Sequence, residues 1–447
     1  MAKQIREQRL SVIWKLGLTQ NIAWASGYYL LAILADPIAR DLGTHRATIF
    51  AAFSVSLLIS ALIGPRVGRT IDLFGGREVL AVSNIVFAVG LFLLGMAHSQ
   101  LVLWTAWLIL GPAMGFGLYD AAFATLTRLY GNTARSAITG ITLIGGFAST
   151  VGLLVTAWGE ASIGWRYTCM AWAVAHIVLG LPLNLLLPKL LTGPESAGPE
   201  SAPTAKKPAV PMDRTMWLLG FAFAATWVVS TAMAAHLPHV LEAVGATSAQ
   251  AIVAASLVGP AQVIARVFEA WLLRWYHPLV SARLSTIAHP VGAGLLLLGG
   301  GCFAMPFTLL HGAGNGILTI ARGTVPLAIF GQNNYGYRLG LLGAPARIAQ
   351  AGAPFVFGVL IDTYHTGVLI FSSALCLAAL ASLRAVRLSA PLSLAQGGKA
   401  ERMSRGYIPP TLPFFPEPSH RSAVGVAHTV HSAARTQEGS ATRGRRP

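Results

Sequence analysis

The stretch GPRVGRTIDLFGGREVL, residues 64–80, lies between two long apolar segments and decides the fold of this chain. Gly75 and Gly76 permit a tight turn, because glycine adopts backbone conformations that other residues avoid. Asp72 can accept backbone N–H groups at the start of a helix and can pair with Arg77. The stretch therefore predicts a short polar turn between two apolar helices.

The composition of the chain predicts a bilayer as its solvent. Of its 447 residues, 54% are hydrophobic and 11% are charged, whereas a soluble domain carries roughly 25% charged residues. In a bilayer the backbone must satisfy its own hydrogen bonds, which leaves helices or a closed barrel. The apolar runs are about 20 residues long and do not alternate, which indicates an all-α integral membrane protein.

Twelve apolar runs predict twelve transmembrane helices. They are expected near residues 12–36, 47–66, 78–97, 101–127, 136–158, 166–188, 214–241, 248–272, 281–303, 305–330, 338–361 and 366–388. If the N-terminus is cytoplasmic, the cytoplasmic loops hold twelve Lys or Arg residues and the opposite loops hold three. Because cytoplasmic loops are enriched in Lys and Arg, both termini are predicted to be cytoplasmic.

A polar, proline-rich linker divides the helices six and six. The predicted parts are an N-terminal half (1–188), a cytoplasmic linker (189–213), a C-terminal half (214–388) and a disordered, basic cytoplasmic tail (389–447). Two six-helix halves are typical of transporters built from repeats, whose site lies near the midplane between them.

The loop between the second and third runs resembles the signature loop of the major facilitator superfamily. Gly68, Asp72, Gly75 and Arg77 have the spacing of that motif, while Leu73 replaces its usual basic residue. The resemblance implies the twelve-helix fold of that superfamily and secondary active transport. It also implies that these four residues form a conformational latch, which holds two helix ends together and opens as the halves rock.

The eighth run carries a charge where a membrane helix usually has none. In GPAQVIARVFEAW, residues 259–271, Gln262, Arg266 and Glu269 share one helical face. An unpaired charge at mid-bilayer costs about 2.5 kcal/mol or more. Either Arg266 pairs with Glu269 within the helix, or Arg266 anchors an anion in a central cavity.

This eighth run also resembles that of the monocarboxylate porters, in which an arginine receives the substrate carboxylate. Arg266 stands at that arginine, and Gln262 stands where those porters have an aspartate. The lysine of their first span is absent here, and the first run has Tyr28 and Tyr29 instead. The resemblance to bacterial members of that group implies a small organic anion, such as a monocarboxylate, as substrate and a bacterial inner membrane as location.

Further polar residues inside the apolar runs are candidates for the site. Arg322 and Asn315 share a face of the tenth run with His311 and Thr319, and Asn21, Trp24 and Tyr28 share a face of the first. The predicted substrate-binding residues are Arg266, Arg322, Asn315, Tyr28 and Asn21.

Other candidates have two explanations each. Asp120 and Glu269 are the candidate groups for proton coupling, although Asp120 is as well explained by a structural pair. Arg347 and Gln350 face the cavity or lie near its cytoplasmic mouth. His236 and His239 could suit a metal by spacing alone, and interfacial histidines are the preferred interpretation.

Several functions are excluded or kept as rivals. No nucleotide-binding loop, catalytic motif, zinc spacing or cofactor motif is found, so we predict neither an enzyme nor a bound cofactor or metal. The basic residues lie in loops and the tail, a pattern of topology signals and lipid contact and not of nucleic-acid binding. The expected partners are a small-molecule substrate, the lipid bilayer and protons, and the expected state is a monomer. The alternatives are an efflux carrier for drugs or toxic metalloids such as arsenite, and a non-transporting membrane sensor.

Overall fold

The computed structural model describes residues 2–189 and 210–386, with the side chains of 2–5 and 274 left out. Its described residues form sixteen α-helices, joined by turns and short π- and 3-10-helical segments, and no strand. The helices are α1 Ala2–Trp24, α2 Leu31–Asp41, α3 Arg46–Phe74, α4 Arg77–Gly95, α5 Gln100–Gly117, α6 Tyr119–Tyr130, α7 Arg135–Gly145, α8 Ala148–Ala175, α9 Leu181–Leu185, α10 Arg214–Ala243, α11 Ser248–Ser256, α12 Val258–Trp271, α13 Pro278–Gly299, α14 Ala304–Phe330, α15 Tyr335–Tyr364 and α16 Gly367–Ala385.

Eight helical stretches of the described chain are long and apolar enough to cross a membrane, and a bent pair, Arg6–Tyr29 with Leu31–Asp41, makes a ninth. Two of the stretches are too long for one crossing: Gln100–Leu185 has 86 residues and Pro278–Phe330 has 53. A single crossing needs about 20 residues. The chain must therefore reverse inside both stretches.

The reversals occur at three glycines with positive φ: Gly131 (58°), Gly164 (79°) and Gly300 (61°). Across Gly164, the indole N–H of Trp172 donates to Thr156 Oγ1 at 3.1 Å. Sixteen residues of straight helix would separate these two by about 24 Å, so the chain turns back between them. Divided at the three glycines, the described chain makes twelve passages, the number that the sequence predicts.

The turn after α3 forms as the sequence predicts. Gly75 ends α3 with φ 89°, a conformation that favours glycine. Gly76 lies so close to Thr125 of α6 that a Cβ atom there would overlap its hydroxyl. Two glycines in succession therefore allow the chain to reverse tightly against α6.

The surface and core of the bundle fit a lipid environment. Large apolar side chains are exposed along the helices, such as Leu62 (67%), Phe355 (78%) and Leu298 (90%). The first six passages comprise α1–α9 and the last six comprise α10–α16. Most buried apolar residues pack against others of their own set, and one cluster joins the two sets through Val67 and Ile71 of α3 and Tyr335 and Leu339 of α15. The protein is thus an all-α integral membrane protein. The predicted domain boundaries stay predictions, because most of the linker and the tail (389–447) lie outside the described residues.

Candidate functional site

A cavity of about 430 Å³ lies between the first six passages and the last six. Its aromatic lining comes from both sets: Trp24, Tyr28, Tyr29 and Tyr119 from the first and Trp227 from the second. We call the end of the bundle that holds the turn after α3 the latch end. Along α8, α10 and α11–α12 the cavity extends from Gly146, Trp227 and Arg266 away from the latch end, toward Leu153, Pro238 and Ser256.

Arg266 is the charged residue of this cavity lining. It is 4% exposed, and its Nη1 donates to the backbone oxygen of Thr142 at 3.3 Å. Its Nη2 donates to Gln262 Oε1 at 3.2 Å and to Thr319 Oγ1 at 3.5 Å, while Nε has no partner. Gly146 makes room for the guanidinium, since a Cβ atom there would overlap Nη1.

Arg266 has no carboxylate partner among the described residues. Glu269, one turn along α12, instead accepts a hydrogen bond from Arg135 Nη2 at 3.1 Å. Ser281 Oγ also donates to Glu269 Oε1, at 3.3 Å. The alternative of an Arg266–Glu269 pair within the helix is wrong, because Glu269 faces α7 and α13 and not the cavity.

A second charged cluster lies beside the cavity. Asp120 Oδ2 accepts a hydrogen bond from Arg347 Nη2 at 2.6 Å, and Asp120 Oδ1 lies 4.0 Å from Arg322 Nη2. The Arg322 guanidinium stacks over the Trp227 ring at 4.0 Å. These groups line a chamber of about 20 Å³ that shares Trp227 and Gln350 with the main cavity. Asp120 therefore has the structural pair that its sequence position left open.

Of the other four predicted substrate-binding residues, two line the main cavity and two do not. Asn315 and Tyr28 line the cavity, and Tyr28 Oη accepts a hydrogen bond from Gln350 Nε2 at 2.8 Å. Asn21 lines neither the cavity nor the chamber, because its amide donates to the backbone oxygen of Ile144 at 3.2 Å. Arg322 lies in the chamber and not in the main cavity.

Asp72 joins the two sets of passages at the latch end. Its two carboxylate oxygens each accept a backbone N–H of α15, from Gly336 and Tyr337, both at 2.8 Å. A Cβ atom on Gly68 would overlap the Gly336 carbonyl oxygen, so α3 and α15 touch backbone to backbone here. The predicted pairing of Asp72 with Arg77 is wrong: no such ion pair forms, because both carboxylate oxygens accept hydrogen bonds from the first turn of α15.

Arg135 makes a second connection of the same kind. Besides Glu269, it donates to the backbone oxygens of Tyr276 at 2.7 Å and Leu273 at 3.1 Å, in the turn that follows α12. His277 follows, and its Nδ1 accepts the backbone N–H of Leu279 at 3.2 Å. Burial and the neighbouring Arg135 and Arg283 lower the pKa of His277, which favours the neutral ring that this contact needs. The Asp72 carboxylate thus meets the N-terminus of α15, where it complements the helix dipole, and Arg135 binds the turn that follows α12.

Two polar contacts of the bundle are not predicted from the sequence. By sequence Arg135 is one of the basic residues of the cytoplasmic loops, and its partners lie 134 to 141 residues away in the chain. The second feature is His289, a buried histidine of α13 whose Nδ1 lies 3.0 Å from His311 Nδ1. A histidine inside an apolar run is by itself a sign of a polar contact in the core. The metal interpretation of His236 and His239 finds no shared site: His236 Nε2 bonds to the backbone oxygen of Pro354 at 2.8 Å, and His239 lies 3.7 Å from Glu242.

Two sets of six passages around a central cavity are typical of helical membrane transporters, and comparisons with known proteins identify the family. The family model of the Major Facilitator Superfamily matches residues 16–310, and the chain belongs to that family. It is 28% identical over 356 residues, 74% of this chain and 90% of the relative, to an uncharacterized 38 kDa protein in the 23S RNA operon of Thermoproteus tenax. It is 33% identical over 173 residues to the human solute carrier family 2, facilitated glucose transporter member 10, which is 36% of this chain and 30% of that protein.

A solved structure shows the same fold. The crystal structure of the human organic anion transporter MFSD10 (TETRAN) matches with a TM-score of 0.66 at 15% identity, over 85% of this chain and 99% of that one. At this identity the likeness concerns the fold alone. The predicted superfamily is confirmed, and the substrate is a separate question.

Proposed function

We propose that this transporter carries a small organic anion, such as a monocarboxylate, and that Arg266 binds its carboxylate. The observation that carries this proposal is a buried guanidinium in a central cavity with neutral protein partners only. Burying such a charge costs several kcal/mol unless something offsets it. A carboxylate in the cavity would supply the missing countercharge through charge-assisted hydrogen bonds.

The charge balance around the cavity supports an anion over a cation. The lining of the cavity and the chamber holds three guanidiniums, those of Arg266, Arg322 and Arg347, and one carboxylate, that of Asp120. Asp120 is already shared between two of the arginines. A cationic substrate would meet this excess of positive charge at short range.

The two connections at the latch end support transport by alternating access. Asp72 with α15, and Arg135 with Glu269 and the end of α12, hold the two sets of passages together on one side of the cavity. The cavity extends toward the other side. With the cytoplasmic termini that the loop charges predict, this arrangement corresponds to a transporter closed to the cytoplasm, and rocking would break both connections.

Asp120 is our proposed proton-coupling residue. Its carboxylate balances Arg347 and Arg322 across the two sets of passages, so protonation would release two guanidiniums at once. Glu269 belongs to the connection with Arg135, and a proton on Glu269 would loosen that connection. We further propose that the protein acts as a monomer in a bacterial inner membrane with both termini cytoplasmic.

The test is flux into proteoliposomes of labelled lactate, pyruvate, longer carboxylates, arsenite and a cationic dye, with and without a proton gradient. The proposal predicts carboxylate flux that Arg266→Gln abolishes and that Arg46→Gln, a matched change at an exposed arginine, preserves. Flux of arsenite or of the dye, unchanged in Arg266→Gln, would instead identify an efflux carrier in which Arg266 is structural. No flux of any solute would favour a sensor.

A further inference from the structure

A chain of hydrogen-bonding side chains leads from the cavity wall into the core of the last six passages. His311 Nδ1 lies 3.0 Å from His289 Nδ1, and His289 Nε2 lies 2.9 Å from Ser372 Oγ. All three side chains are buried, on α14, α13 and α16, and His311 also lines the cavity. The transport mechanism proposed above makes no use of this chain.

The positions of the protons on these three side chains determine whether His311 donates or accepts a hydrogen bond in the cavity. If Ser372 donates to the backbone oxygen of Leu369, 3.1 Å away, His289 donates to Ser372, His311 donates to His289, and His311 Nε2 is left as an acceptor. If Ser372 donates to His289, the bond to Leu369 is given up, the two bonds of His289 reverse and His311 Nε2 becomes a donor. Both arrangements are neutral and pair both nitrogens of His289 and the Nδ1 of His311, so the cavity edge of His311 can accept or donate.

The outer nitrogen of His311 is available to a ligand. Among the described residues His311 Nε2 has no hydrogen-bond partner, and it is not sealed from solvent. Gly312, the next residue of α14, packs on Val258, and the cavity lining combines apolar side chains such as Met233 and Leu237 with hydroxyl and amide groups. His311 adds to that lining a ring nitrogen that can bond to a polar ligand atom.

His311 is well separated from Arg266 along the cavity. Gly312 packs on Val258 and Gly316 packs on Gln262, so α14 and α12 run side by side in fixed register. Arg266 contacts α14 at Thr319, eight residues from His311. At 1.5 Å per residue this separation is about 12 Å.

We infer that His311 is a second, neutral binding point of the cavity, which receives a hydroxyl or carbonyl group of the substrate. This inference rests on the proposed binding of a carboxylate at Arg266. A hydrogen bond of about 3 Å at each end leaves roughly half of the 12 Å for the ligand itself. A carboxylate as short as lactate contacts one point only, whereas a carboxylate with a polar group at the far end of its carbon chain contacts both.

The test compares hexanoate, 2-hydroxyhexanoate and 6-hydroxyhexanoate as competing solutes for flux into proteoliposomes that hold the native protein. The expected result is a preference for the 6-hydroxy acid of about three- to tenfold over the other two, the effect of one added hydrogen bond. Equal transport of the three acids would overturn the inference while leaving the carboxylate proposal intact. This comparison needs no variant and so does not depend on how a variant folds.

Variants of His311 test whether this side chain causes the preference for the 6-hydroxy acid. His311→Phe is expected to bring the preference down to about one, while His311→Gln, which can still donate and accept, is expected to keep part of it. His239→Gln, at an exposed histidine, serves as the control with an unchanged preference. A preference that survives in His311→Phe would overturn the inference, whereas no flux of any of the three acids, or equal flux in Arg266→Gln, would overturn the carboxylate proposal itself.

Discussion

Glu269 Oε1 accepts a hydrogen bond from Arg135 Nη2, 134 residues away, and not from Arg266, one turn along the same helix. This pairing excludes an Arg266–Glu269 pair as the explanation of the charge in α12. Because Glu269 is engaged at the latch end, Arg266 remains in the cavity with backbone, amide and hydroxyl partners only. This arrangement supports the proposal that Arg266 binds an anion.

Removing Arg135 should be worse for the protein than removing the charge of Glu269. Arg135→Gln leaves a carboxylate that is 1% exposed without its cation, and loss of one partner of a buried pair costs about 3–5 kcal/mol. Glu269→Gln leaves Arg135 bonded to the backbone oxygens of Leu273 and Tyr276. Thermal unfolding in detergent should show a markedly larger loss for Arg135→Gln.

The pH dependence of Arg135→Gln follows from the same pairing. Lowering the pH protonates the isolated Glu269 carboxyl and removes the buried charge, so the stability lost in Arg135→Gln should be partly regained as the pH falls. The double variant Arg135→Gln/Glu269→Gln should show no such recovery. Equal losses in the two single variants, at all pH values, would contradict this account of the connection.

Asp72→Ala should open the contact between α3 and α15. The carboxylate satisfies two N–H groups of the first turn of α15, and hydrogen bonds to a charged group contribute about 1.5–3 kcal/mol each. A cysteine at Val67, which is buried against Tyr335 and Leu339, reports on the opening in a Cys302→Ser background. Alkylation of that cysteine should be faster with Asp72→Ala than with Glu78→Ala, a nearby acid. Equal rates would show that Asp72 does not hold the helices together.

Gly68→Ala should block closure at the latch end. The added methyl group would overlap the Gly336 carbonyl oxygen, a backbone atom that cannot move without shifting α15. Gly352→Ala is the matched control on α15, because a Cβ atom there meets nothing within 4 Å. We expect solute flux to fall at least tenfold in Gly68→Ala and to remain close to native in Gly352→Ala. Native flux in both variants would mean that the close approach of the two helices is dispensable.

Asp120→Asn tests the proton-coupling proposal. The change leaves Arg347 and Arg322 without their shared carboxylate, whatever the pH. Carboxylate uptake driven by a proton gradient should be lost, while exchange of labelled for unlabelled carboxylate should persist. Asp362→Asn, at an exposed position of α15, is the control. Gradient-driven uptake that survives in Asp120→Asn would assign proton coupling to another group.

The sequence predicts the fold well because local patterns determine it. The apolar runs give the twelve passages, and the spacing of Gly68, Asp72, Gly75 and Arg77 identifies the superfamily that the comparisons confirm. The turn at Gly75 follows from glycine's conformational freedom alone. None of these features requires knowledge of which helices pack together.

The site is predicted less completely because its partners are distant in the chain. Asp72 bonds to residues 264 and 265 positions away, and Asp120 bonds to one 227 positions away. The expected local pairs, Asp72 with Arg77 and Arg266 with Glu269, fail because helix packing offers each acid a better-placed partner. The helical face that Asn21 shares with Trp24 and Tyr28 does line the cavity, yet the Asn21 amide bonds to the backbone oxygen of Ile144 and Asn21 is not part of the lining.

The proposed function requires that the Arg266 guanidinium binds the carboxylate of the substrate. Equilibrium binding in detergent of whichever carboxylate shows the strongest flux measures this most directly, with the native protein compared with Arg266→Lys and Arg266→Gln. Binding should weaken at least tenfold in Arg266→Gln, because charge-assisted hydrogen bonds contribute about 1.5–3 kcal/mol, and Arg266→Lys should have an intermediate affinity. Native affinity for the carboxylate in a folded Arg266→Gln protein would contradict the proposed function.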